Sequence, residues 1–250
     1  MASVPSTPDK NGSPAAFATT HWSVVLNAAD SSSPGAQAAL ETLCRTYWYP
    51  LYAYVRRKGR STEDAQDLTQ EFFARLLKNK LVSQFRGEGK FRSFLLASLE
   101  HFLAKEWNRA HRLKREGGHT LISLDAEEAE ERYGLEPADE AASLFDRRWA
   151  MTVLEQALAK LRDEYTGAGK DELFDQLKEI LSGDRTDAPY AEIAARLNMS
   201  EDAVKVAAHR LRRRYGELVR AVIAETVTQP GELEEELGHL FAVLRQGKVV

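Results

Sequence analysis

Between residues 62 and 78 the apolar positions Ala65, Leu68, Phe72 and Leu76 recur at helical spacing, while Asp64, Asp67, Gln70 and Glu71 fall mostly on other faces. The pattern predicts an amphipathic helix. Ser61 is placed to cap it, and Glu63 and Asp64 stand in its first turn, where acids suit the helix dipole. The same spacing predicts helices along most of the chain. Trp22, Val25, Leu26 and Ala29 mark a short one over 21–29. Leu40, Leu43, Tyr47, Leu51 and Val55 mark another over 36–58, which Pro50 is expected to kink or break and Gly59 to stop. After a loop from Leu81 to Lys90, the positions Leu95, Leu99, Phe102 and Leu103 predict a helix from Phe91 to about Arg115. Met151, Leu154, Leu158, Leu161 and Tyr165 predict the next, and Leu173, Phe174, Leu177, Ile180 and Leu181 one more, with a turn at Thr166–Gly169 between them.

Residues 187–215 carry a sharper pattern. Asp187 can cap a helix with Pro189 near its first turn, Ile193 and Leu197 are its apolar positions, and Ala194 is small enough for another helix to approach. Asn198 stands where the chain must turn and tolerates a left-handed backbone. Met199 plugs the core, Ser200 caps a second helix, and Val204, Ala207, Ala208 and Leu211 bury one face of it. This is the spacing of a helix-turn-helix. The outward face presents Lys205, His209, Arg210 and Arg213, with Arg212 and Arg214 beside them, which suits a reader of the major groove. A helical hairpin with no DNA role shares much of this pattern.

The tail has its own stripe: Leu233, Leu237, Leu240, Phe241 and Leu244, with Glu232, Glu234, Glu235 and Glu236 assigned to the other face. A helix this short is marginal alone, so the stripe should be buried. Two placements are open: packing on the tail's own domain, or an acidic face set against the basic residues of 205–214 or 105–115, in competition with DNA.

Composition narrows the class. With 43% hydrophobic and 29% charged residues, few Gly and Pro and many helix formers, the chain reads as a water-soluble, mostly α protein. The single cysteine, Cys44, excludes an intramolecular disulfide, suits a reducing cytoplasm, and lies on an apolar pattern that places it in a core rather than at a nucleophilic site. No apolar run approaches the roughly 20 residues of a membrane span, and the N-terminus does not read as a secretory signal. The net charge of −4 hides an asymmetry. Residues 41–116 hold 16 basic and 9 acidic side chains, 121–187 hold 8 and 18, 188–220 hold 7 and 4, and 221–250 hold 2 and 5. Two basic blocks around an acidic one suggest two nucleic-acid contacts joined by a segment that avoids DNA. The run 105–115 adds Trp107 to its cations, and an indole among phosphate-binding side chains can stack on an unpaired base. The cluster Trp48, Tyr49, Tyr52 and Tyr54 reads instead as core. H-E-x-x-H, G-x-S-x-G and G-x-x-x-x-G-K-[ST] are absent, and His and Cys show no metal-ligand spacing, so no catalytic residue, metal or cofactor is expected.

The pattern D-A-x-D-x-x-Q-E-x-F from Asp64 to Phe73 resembles the polymerase-docking motif of the sigma-70 superfamily, and the likeness, strongest to the two-domain extracytoplasmic-function (ECF) group, extends over about residues 20–225. The resemblance implies that Asp64, Asp67, Leu68, Gln70 and Glu71 bind the beta-prime clamp helices of RNA polymerase core. It implies that the helix from Phe91 to Arg115 melts and reads the minus-10 element of promoter DNA, with His101, Lys105, Trp107, Arg109, Arg112, Lys114 and Arg115 at the DNA. It implies that Pro189 to Tyr215 reads the minus-35 element through Ser200, Lys205, His209, Arg210 and Arg213. Thr19–Val25 and Tyr47–Tyr52 look like a branch frequent in bacteria with many kinases, which admits a Ser/Thr kinase as regulator beside the anti-sigma factor. The chain departs from many relatives at His101, where they carry Asn, and at Ala207, where they carry Arg, so its promoter preference should differ.

The expected architecture is all-α: a disordered N-terminus (1–18), a sigma region 2-like helical domain (19–116), an acidic linker (117–146), a region 4-like helix-turn-helix domain (147–225) and an amphipathic helix (226–250). The alternative is a helix-turn-helix regulator that binds duplex DNA as a dimer without docking on polymerase core. It explains 187–215 and leaves 60–115 without a role.

Overall fold

The computed structural model describes residues 34–78, 90–112, 132–134, 140–178, 181 and 190–246. They are helical almost throughout, with no strand among them, as the apolar periodicity predicts. The N-terminal segment with its short helix, the loop at 81–89, most of the acidic linker, and Asp187 and Pro189 lie outside the described residues.

The first three helices are α1 (Pro34–Arg57), α2 (Thr62–Lys78) and α3 (Phe91–Arg112). α1 does not end at Pro50. Tyr47, Leu51, Tyr52 and Val55 around it are all fully buried, and that packing outweighs the one backbone hydrogen bond a proline removes. Gly59 makes the turn after α1 at φ 82°, a left-handed conformation that costs glycine little. Ser61 then caps α2 as expected, its Oγ accepting the Asp64 amide at 3.1 Å. Phe72 meets Phe102 at 5.8 Å between ring centroids and Tyr47 meets Phe91 edge-on at 5.2 Å, so α1, α2 and α3 share one apolar centre.

The remaining helices are α4 (Ala141–Gly167), α5 (Asp171–Leu177), α6 (Tyr190–Leu197), α7 (Glu201–Ala224) and α8 (Pro230–Gln246). α4 starts inside the stretch expected to be linker, because Leu144 and Phe145 are fully buried. It lies antiparallel on α1: Phe145 meets Tyr54 at 6.4 Å, and Gln156 Nε2 donates to Thr46 Oγ1 at 2.9 Å. From its middle onward α4 also holds α7: the Tyr215 hydroxyl donates to the Leu154 carbonyl at 3.1 Å. The buried side chains from Ala39 to Leu240 therefore form one continuous core.

α8 departs from the expected tail in two ways. Leu233 and Leu240 are buried as the stripe requires, but Phe241 is 52% exposed. Glu236, assigned to the outer acidic face, is 0% exposed. It sits one turn from Leu233 and from Leu240, so it falls within the buried arc of the helix. Among the described residues neither basic segment named as a target pairs with it. Its partners are Lys90 and Arg92 at the start of α3.

Candidate polymerase and promoter interfaces

On α2 the apolar residues Ala65, Phe72 and Leu76 turn inward, and Asp64, Asp67 and Glu71 are exposed. Leu68 and Gln70 are half-buried between them. The structure thus brings Asp64, Asp67, Leu68, Gln70 and Glu71 onto one helix with its acids in solvent. Glu71 is also engaged within the fold. Arg75 binds it one turn away and reaches Glu106 of α3 at 2.8 Å, while its guanidinium lies 4.9 Å from the Phe102 ring centroid. Burial works against the charge on Arg75, and the two carboxylates more than offset it, so its pKa stands above the ordinary value. This clamp fixes the C-terminal part of α2 on α3. Thr69, in the middle of the same helix, is fully buried.

On α3 the inward residues are Phe91, Leu95, Leu99 and Phe102, which leaves His101 and Lys105 exposed. Glu100 accepts a 2.6 Å hydrogen bond from the Tyr54 hydroxyl, and burial with that contact pushes the phenol pKa up. Trp107, Arg109 and Arg112 continue the helix, and Lys114 and Arg115 lie outside the described residues.

The helix-turn-helix is formed by α6 and α7. Asn198 takes the left-handed conformation at φ 51°, the Met199 amide donates to the Ala194 carbonyl at 2.9 Å, and Ser200 Oγ accepts the Ala203 amide at 3.2 Å. The turn at Asn198 and the cap at Ser200 were legible in the sequence; the Met199–Ala194 hydrogen bond was not. Val204, Ala208 and Leu211 are fully buried, so the exposed positions Lys205, His209, Arg210 and Arg213 share the outer face, with Ser200 at its N-terminal end. Lys205 pairs with Glu201 at 2.8 Å and Arg213 with Glu217 at 3.0 Å, both exposed pairs within one helix turn. Such pairs are weak and can open for a phosphate or a base edge. Arg214 differs: its Nε and Nη2 reach the two Glu164 oxygens on α4 at 2.8 and 2.6 Å, and Nη1 reaches Glu217 at 3.0 Å. It braces α7 against α4, and its hydrogen bond holds the Glu164 pKa below the usual carboxylate range.

Sequence reasoning missed a third cluster. Arg92 donates through Nε and Nη2 to the two Glu236 oxygens at 3.1 Å each, and through Nη1 to Asp146 Oδ1 at 2.6 Å. Its guanidinium lies 5.0 Å from the Trp149 ring centroid. Lys90 Nζ stands 2.9 Å from Glu235 and 3.4 Å from Glu236, and His239 Nε2 is 3.2 Å from Asp146. Burial opposes the charge on Arg92, and Glu236 outweighs it, raising the pKa. Three distant elements, α3, α4 and α8, meet here. The only trace in the sequence is an acid inside an apolar stripe.

Among the described residues no group of three or more His, Cys, Asp or Glu could hold a metal ion, and no helix is long and apolar enough to cross a membrane.

Residues 43–113, from within α1 to just past α3, match the family model for sigma-70 region 2. That match, together with the similarity to a curated sigma factor, supports an RNA polymerase sigma factor of the sigma-70 family, ECF type. Among characterised proteins it is similar to RNA polymerase sigma factor YlaC of Bacillus subtilis (strain 168), with 25% identity over 174 residues, 70% of this chain and 88% of that protein. No solved structure matches it.

Proposed function

We propose that the chain directs RNA polymerase core to specific promoters and starts DNA-templated transcription there. The observation that carries this is the region 2 match over 43–113, which contains both the exposed acids of α2 and the whole of α3. In this reading Asp64, Asp67, Leu68, Gln70 and Glu71 bind the beta-prime clamp helices. His101 and Lys105, with Trp107, Arg109, Arg112, Lys114 and Arg115 further along, hold the minus-10 element. Cations there neutralise phosphates, and Trp107 offers a stacking face to an unpaired base. Ser200, Lys205, His209, Arg210 and Arg213 read the minus-35 element as duplex from the N-terminal half of α7, the usual placement of a recognition helix in the major groove. The protein works in the cytoplasm and needs no cofactor and no catalytic residue, since its contribution is binding and strand separation. An anti-sigma factor or a Ser/Thr kinase is the regulator that the family resemblance admits.

Run-off transcription tests the reading. Core polymerase with this protein, supplied with a genomic library, should yield transcripts sharing a common upstream sequence that core alone does not make. Sequence-specific duplex binding with no transcripts and no association with core would instead establish the helix-turn-helix regulator.

A further inference from the structure

We infer that α8 is a clasp that closes the promoter-binding halves of the molecule on each other, with Glu236 as its catch. The inference rests on the promoter reading above. The two surfaces assigned to DNA lie on α3 and α7, in parts of the chain expected to act as separate domains. In the structure they belong to one body. α4 is laid along α1 by Tyr54, Phe145 and the Gln156–Thr46 hydrogen bond. The Phe91 amide at the start of α3 donates to the Thr226 carbonyl after α7 at 3.0 Å. α8 then ties the junction. Glu236 is fully buried between the two halves, and its carboxylate takes the forked Arg92 guanidinium from α3.

Dimensions make this closed form unfit for the task. The names of the two promoter elements place them about 25 base pairs apart, or about 85 Å of B-DNA at 3.4 Å per step. A compact chain of 250 residues has a radius of gyration of about 18 Å, which is roughly 46 Å across. A closed body cannot touch both elements of one duplex, so the seam between α1 and α4 must open before both are read. The outer face of α2 and the outer face of α7 are exposed in the closed form, so either can be engaged first.

The chemistry of the catch suits a switch. A buried carboxylate shared by Arg92 and Lys90 contributes little net stability over an apolar contact but is costly to leave half-made. It therefore favours two states, fully closed or fully open, over intermediates. Polymerase or DNA that binds the open form more tightly than the closed one shifts the population by its differential affinity.

Two experiments on the full chain decide it. Glu236→Gln keeps the shape and removes the charge. Small-angle scattering should show a larger radius of gyration than wild type, and fluorescence anisotropy should show at least fivefold tighter binding of a promoter duplex by the free protein. A folded variant with unchanged dimensions and unchanged affinity overturns the clasp. Because that variant can also lose stability, the second experiment locks the seam instead. Thr46→Cys and Gln156→Cys, in a Cys44→Ala background, are bridged by a thiol-cleavable bismaleimide. With core polymerase the bridged protein should lose at least tenfold of its upstream-dependent transcription and regain it on cleavage. Full activity while bridged overturns the proposal. If the unbridged protein itself gives no promoter-dependent transcript, the functional reading fails, and the scattering comparison still judges the clasp.

Discussion

Asp67 is exposed one turn from Asp64 and Glu71, while the neighbouring Phe72 is buried, so its charge can be reversed without touching the core. Asp67→Arg should abolish capture by core polymerase and leave the thermal melt within about 0.5 kcal/mol of wild type, the usual range for a surface change. Normal capture by the folded variant would remove α2 from the docking assignment. On α7, Arg210 is exposed on the outer face. Arg210→Ala should weaken recognition of the upstream element by about 1–3 kcal/mol if the side chain grips guanine with both its donors, and leave polymerase binding unchanged. Footprints of wild type and variant on templates with altered upstream sequence would measure it, and indifference of both to that sequence would end the minus-35 assignment. Glu236 shows why single residues are read unevenly from sequence. Glu201 and Asp202 stand where a helix start wants acids, and they lie exposed in that first turn. Glu236 stands in a run of acids that looks like solvated surface, and only the fold reveals that Arg92, 144 residues away, is waiting for it.

At the level of elements, the turn between α6 and α7 depends on one left-handed residue, Asn198. Asn198→Val puts a β-branched side chain in that conformation and should cost about 1–2 kcal/mol, whereas Asn198→Gly should restore stability to near wild type. Equal melts for the two variants would show that the turn does not constrain the motif. The helix-turn-helix was legible because its signals are local: a turn residue, a cap three residues before the amide it binds, and an apolar face at fixed spacing. α2 was legible for the same reasons. The start of α4 was not, since Leu144 and Phe145 are core only because α1 lies over them, and nothing within a helical window of the sequence carries that contact. Pro50 shows the opposite failure. Of the kink or break that a proline there predicts, the break does not occur, because the residues on either side of it are buried.

For the molecule as a whole, sequence periodicity identified the helices but not how the two halves meet. Charge blocks divided the chain into segments, and it is the apolar faces of α1 and α4 that bring them together. α8 completes that union, so ending the chain after Val227 should lower the melting temperature. Loss of buried Leu233 and Leu240 removes about 3 kcal/mol or more, worth at least roughly 6 °C in a chain of this length. An unchanged melt by calorimetry would show that the helix is an ornament on a core stable without it.

Trp149 is 1% exposed, with the Arg92 guanidinium 5.0 Å from its ring centroid and the His239 ring at 5.6 Å. Both neighbours come from outside its own helix, so the indole changes its surroundings whenever α3 or α8 moves away from α4. That makes it a built-in optical gauge. In a variant keeping it as the sole tryptophan, emission should move to longer wavelength as solvent reaches the ring. Stopped-flow mixing with polymerase core, and separately with a promoter duplex, would then time the seam directly and reveal which of the two encounters releases it.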